Sequence, residues 1–201
     1  KHNIPVEIDS LDNIPFYKPA DDSPEIKYLK GCREKLGGYV PERRQQSETL
    51  PIPSLDAFSK LLEDSGDRKI SSTMSFVRIL NTILRDKILG KRVLVIVPDE
   101  SRTFGMEGLF RQYGIYSPVG QLYEPEDKGQ VMYYKESETG QVFQEGLNEA
   151  GAMCSWMAAG TSYSNNDLPM IPFYIYYSMF GFQRTGDLAW AAGDMRAQGF
   201  I

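Results

Sequence analysis

The chain has 201 residues, a formal net charge of −5 from 22 Lys+Arg against 27 Asp+Glu, and 41 % hydrophobic and 24 % charged residues. This is the balance of an ordinary folded chain, long enough for one domain and part of another, without the basic excess of a nucleic-acid-binding domain. Two distant cysteines, Cys32 and Cys154, and a single histidine, His2, exclude a disulfide framework, a cysteine-histidine zinc site and a Ser-His-Asp triad drawn wholly from this chain.

Residues 1 to about 55 are punctuated by Pro5, Pro15, Pro19, Pro24, Pro41, Pro51 and Pro53, so the expectation there is an extended arm or linker. Within it a helix is predicted from Ser23 to about Lys35, with Ser23 as N-cap, Pro24 at the first helical position and Gly37-Gly38 as the stop. A short helix is predicted over Ser54 to Glu63. A longer one follows over Ser71 to Leu89, where Val77, Leu80, Ile83, Leu84 and Ile88 recur at helical spacing before Gly90. Val93 to Val97 is an uninterrupted apolar run ended by Pro98, the pattern of a strand buried on both faces of a parallel sheet.

Ser101 to Gly140 shows little periodicity and reads as a long, functional loop. A small-residue helix is predicted from Gln144 to about Tyr163, a second buried strand over Met170 to Met179, and a last helix over Phe182 to Gln198. Strand, helix, strand, helix indicates an α/β fold with a parallel sheet. The start carries no initiator Met and no signal-peptide pattern, and the most apolar stretch, Met170 to Phe182, is too short to span a bilayer. The sequence stops just as an apolar element begins at Gln198 to Ile201, and it reads as a piece of a longer cytoplasmic protein.

Ligands of open parallel sheets gather outside the carboxyl ends of the strands. Asp99 and Glu100 follow the first strand, Tyr177 and Phe180 lie at the end of the second, and the intervening helix carries Glu145 and Glu149 in its first turns. Glu149 sits among Gly146, Leu147, Ala150, Gly151 and Ala152 with no cation nearby in sequence. It is a carboxyl with a raised pKa, or else a helix cap or a solvated side chain. Asp99-Glu100 is an acidic functional pair or a polar strand end; Phe180 is a stacking platform or core. Met153, Cys154 and Met157 read as packing. Of the 24 aromatic residues, 14 lie between Tyr113 and Phe182, which fits either a subunit contact or a tyrosine-rich core.

The run Asp99-Glu100-Ser101-Arg102-Thr103-Phe104-Gly105-Met106-Glu107-Gly108-Leu109-Phe110-Arg111-Gln112, followed by Gly114-Ile115-Tyr116-Ser117-Pro118, closely resembles the homodimeric type of pyruvate dehydrogenase, the thiamine-dependent decarboxylating component of a multienzyme complex. So does the stretch from Leu168 to Arg184. The resemblance runs through nearly the whole chain, weakest over residues 1 to 70, and covers a minority of the family's length. It implies an interdomain linker or arm over 1–70 and the N-terminal part of a thiamine diphosphate-binding (pyrimidine-binding) α/β domain over 71–201.

Gly146-Leu147-Asn148-Glu149 matches the family motif whose glutamate hydrogen-bonds the aminopyrimidine ring, so the resemblance implies that role for Glu149. It implies that Phe180 stacks on that ring, that Tyr177 lines the active site, and that Asp99 and Glu100 lie near the cofactor and the lipoyl channel. The Gly-Asp-Gly…Asn motif for magnesium and diphosphate is absent from this chain, so the metal site is expected outside it and the isolated piece is expected to be inactive. The implied partners are a second copy in a homodimer, pyruvate, and the lipoyl domain of the dihydrolipoyl acetyltransferase component, with no nucleic acid and no membrane, in a bacterial cytoplasm. The alternatives are a non-catalytic dimerisation module of the same fold, or another thiamine-dependent relative such as a transketolase or a 2-oxoglutarate dehydrogenase.

Overall fold

The structure, a computed structural model, describes residues 16–38, 43–98, 101–126 and 133–201. The chain divides into two compact units, residues 1–42 and 43–201. In the first, helix α1 (Pro24–Lys35) begins as the proline and serine dictate: the Ser23 hydroxyl accepts the Ile26 N–H at 3.3 Å, and Pro24 occupies the first turn. Gly37 and Gly38 follow with φ of +92° and +108°, ending the helix.

The second unit opens with a 3₁₀ turn (Leu55–Phe58) that runs into the single helical turn α2 (Ser59–Leu62). The helix predicted here is thus split; no side chain caps its start. Helix α3 (Ser72–Leu84) is capped by Ser71, whose hydroxyl accepts the Met74 N–H at 3.2 Å. It ends before the predicted Leu89 because the Asp86 carboxylate accepts the N–H groups of Ile88 and Leu89, both at 2.8 Å, and turns the chain. Strand β1 (Val93–Val97) follows, buried at every position as predicted.

The predicted loop over 101–140 holds more structure than its sequence suggests: helix α4 (Glu107–Tyr113) and the two-residue strands β2 (Ile115–Tyr116) and β3 (Glu136–Ser137). Strand β4 (Val142–Gln144) ends where the sequence pattern predicts a helix to begin. That helix, α5 (Glu149–Gly160), starts only after a turn, and a short α6 (Ser162–Asn166) continues it. The break falls at Thr161, whose hydroxyl bonds back to the Met157 carbonyl at 2.8 Å. Strand β5 is Ile171–Tyr174, shorter than predicted, because Tyr177 to Gly181 forms a turn in which Tyr177 O accepts two N–H groups. Helix α7 (Phe182–Asp194) comes last, and Phe200 pairs with Phe173 beyond it.

The five strands form one parallel sheet in the order β3-β2-β4-β1-β5. The α/β class with a parallel sheet is therefore what the sequence predicted. Side chains alternate across β1 with period two. Val93, Val95 and Val97 pack with Leu80 and Leu84 of α3 and Phe110 of α4 on one face. Leu94 and Ile96 pack with Met153 and Trp156 of α5 and Ala192 of α7 on the other. Met153 is core as predicted, whereas Cys154 is exposed. Of these aromatics Trp156, Tyr163, Phe173 and Tyr174 are buried in the core, whereas Tyr123, Tyr177, Phe180 and Phe182 are exposed. Among the described residues no helix is long and apolar enough to cross a membrane.

Gly140 lets β2 approach β4. A Cβ there would lie 2.4 Å from the Ile115 carbonyl carbon and the Tyr116 nitrogen, both backbone atoms that cannot swing aside. Gly140→Ala is expected to destabilise the domain by about 1–3 kcal/mol through overpacking, seen as a lowered unfolding midpoint of the full-length protein. Gly186→Ala, in α7 with open space around it, is expected to leave the midpoint unchanged or slightly raised.

Candidate active site

Because β1, β4 and β5 run parallel, the segments leaving their carboxyl ends share one rim. After β4 the chain donates the Glu145 N–H to Val97 O at 3.1 Å, and Gly146 then turns at φ +71°, a region that disfavours side chains. Asn148 caps α5: its Oδ1 accepts the Gly151 N–H at 3.1 Å. With the cap supplied by Asn148, Glu149 is neither the cap nor a solvated side chain. It is the first residue of α5 and only 7 % exposed.

Its partner comes from α7. Arg184 Nη1 donates to Glu149 Oε1 at 2.7 Å, across 35 residues of sequence. This corrects the expectation of a raised pKa. The Arg184 hydrogen bond outweighs burial and holds the Glu149 carboxyl below its ordinary value, helped by backbone hydrogen bonding at the helix start. Burial of the neighbouring Tyr174, with the charge of Glu149 next in weight, pushes its phenol up to about 12, so it stays a donor; its hydroxyl reaches Glu149 O at 3.3 Å.

The Arg184 guanidinium also lies over the Phe180 ring, 4.8 Å from its centroid. Phe180 is 41 % exposed, so it is not core; its ring is a surface beside a buried carboxylate, both touched by one arginine. Tyr177 stands near the same rim with its ring 5.1 Å from that of Phe104. Asp99 and Glu100 lie outside the described residues. Ser101, next to them, is buried, and its hydroxyl accepts the Gln144 side-chain N–H at 2.9 Å, tying the end of β4 to the loop after β1. Glu145 precedes α5 rather than lying in it and accepts the Ser155 hydroxyl.

Arg184 is the residue that sequence reasoning missed. A cation in the first turn of α7 opposes the helix dipole, and that mismatch is itself a sign of a carboxylate partner at the same sheet edge. The exposed Phe180 ring beside the Glu149 carboxylate fits a planar heteroaromatic ring carrying an N–H. Among the described residues no group of three His, Cys, Asp or Glu side chains stands ready for a metal ion.

Residues 50–201 match the family described as Pyruvate dehydrogenase E1 component middle domain. Along its whole length the chain is 62 % identical to the pyruvate dehydrogenase E1 component of Pseudomonas aeruginosa, of which it covers 23 %. Over 99 % of its length it is 61 % identical to that of Cupriavidus necator, covering 22 % of the relative. To that of Escherichia coli K12 it is 56 % identical over the full chain and 23 % of the relative. The chain thus spans about a quarter of the length of the curated relatives it matches. With a parallel α/β sheet and a match over residues 50–201, the chain belongs to the pyruvate dehydrogenase E1 component middle-domain family.

Proposed function

We propose that this chain supplies the aminopyrimidine side of a thiamine diphosphate site in a protein that decarboxylates pyruvate and transfers the acetyl unit to the lipoyl group of a dihydrolipoyl acetyltransferase component. The observation that carries the reading is the buried Glu149 at the start of α5, joined through Arg184 to the exposed ring of Phe180. Residues 1–70 are the linker or arm and 71–201 the first part of the pyrimidine-binding domain.

Thiamine diphosphate, when bound, supplies the electron sink that decarboxylation of a 2-oxo acid needs. The residues of this chain hold and orient it. Glu149 accepts a hydrogen bond from a ring nitrogen and shares its proton, Phe180 offers a face for stacking, and Tyr177 lines the pyruvate side. Asp99 and Glu100 lie along the approach of the lipoyl group. Magnesium and the diphosphate are held by residues outside this chain. The protein acts as a cytoplasmic homodimer, and the exposed Met179, Phe182 and Trp190 beside and along α7 support a protein contact there.

In the full-length protein, Glu149→Gln removes the proton-sharing group but keeps its size. The expected result is a loss of about a hundredfold or more in pyruvate decarboxylation at saturating cofactor, in the range of general acid–base effects. Near-normal turnover would sink the assignment.

Arg184→Met removes the main cause of the lowered Glu149 pKa. With a depressed carboxyl, the stabilisation of the pair is complete above the ordinary carboxyl value and is lost as pH falls through the lowered one. The variant is therefore expected to move the acid limb of kcat/KM for pyruvate to higher pH, while Arg184→Lys retains most of the wild-type profile. An unmoved acid limb in Arg184→Met would show that the pair does not govern Glu149 in the working enzyme.

A further inference from the structure

A cleft of about 820 Å³ lies between the Asp56–Leu61 segment, the turn over Asp64 to Ile70, and α3. It shares no residue with the candidate active site, so a role for it is independent of the function proposed for that site. Its lining runs against the charge of the chain: Lys60, Arg68, Arg78 and Arg85 face only two carboxylates, Asp56 and Asp64, in a chain of net charge −5. Among the described residues no ion pair joins any of these four cations to a carboxylate. Asp64 is turned into its own loop, where Oδ1 accepts the Gly66 N–H at 2.8 Å.

Helical spacing explains one wall. Arg78, Asn81, Thr82 and Arg85 recur at i, i+3, i+4 and i+7, which places them in one stripe, while Val77, Leu80 and Leu84 turn into the core. Asn81, whose Oδ1 accepts the Tyr113 hydroxyl at 3.5 Å, also lines the cleft. Arg68 and Lys60 stand on the other wall, and Phe58, Leu61 and Ile70 give an apolar floor.

Guanidinium groups on both sides of a cleft present forked donors to an oxyanion from two directions, which suits a tetrahedral, multiply charged group better than a single carboxylate. We propose that this cleft binds a small phosphate ester, its phosphate held by Arg68, Arg78, Arg85 and the Asn81 amide and its organic part laid on Phe58, Leu61 and Ile70.

The test uses the full-length protein saturated with thiamine diphosphate and magnesium, so that the cofactor site does not report, and titrates inorganic triphosphate by calorimetry. Binding is expected in the wild type. It should weaken at least about tenfold in Arg78→Gln/Arg85→Gln, as loss of charge-assisted hydrogen bonds implies, and remain unchanged in Lys87→Gln, which lies outside the lining. Arg68→Gln, on the opposite wall and outside any helix, should weaken binding independently and serves if the α3 variant fails to fold. Absence of binding at millimolar triphosphate, wild-type affinity in the cleft variants, or equally tight binding of citrate would each overturn the proposal.

Discussion

Strand β1 is hydrogen-bonded in parallel to β4 on one side and β5 on the other, and buried on both faces. A parallel neighbour can be reached only by returning the chain to the starting edge through a crossover, so the helix that follows each strand starts at the carboxyl edge. The segments after β4 and β5 therefore open α5 and α7 at one rim. Both helices pack on the Leu94–Ile96 face, which brings their first turns side by side. Glu149 and Arg184 meet for this reason, not through any local pattern.

The pair then couples backbone and ligand chemistry. Glu149 at the start of α5 is favoured by that helix's dipole, whereas Arg184 near the start of α7 is not. Their 2.7 Å contact offsets the second with the first, and it leaves the guanidinium against the Phe180 ring. Carboxylate, cation and ring thus form one unit. A planar ligand that takes the Phe180 face must share it with Arg184, and whatever draws Arg184 away releases the carboxyl toward a higher pKa.

Strong local signals are legible in the sequence. The cap of α1 is the serine hydroxyl that the residue pattern predicts, Ser23, and the apolar run at Val93 is the central strand. Strands β2 and β3 are not legible, because two residues leave no period to read and their pairing depends on backbone contacts from Lys135, Ser137 and Gly140. Strand β4 is hidden by its three-residue length, and its last residue, Gln144, merges into the pattern of the helix after it. Glu149 stands out from its small, apolar neighbours, but its ionisation does not, since the deciding partner lies 35 residues away.

The turn before α5 shows why a glutamate can be kept there at all. A carboxylate in the first turn ordinarily folds back to cap the helix or faces water. Asn148 takes the capping role, and Gly146 at φ +71° sets the chain direction into the helix. Tyr174 closes over the start of α5 from β5 and bonds the Glu149 carbonyl rather than its carboxylate. Asn148, Gly146 and Tyr174 thus meet most of the local demands on the helix start, and Arg184 holds the Glu149 side chain in place. That division of labour, more than any property of the glutamate itself, is what keeps a buried carboxylate at the start of α5.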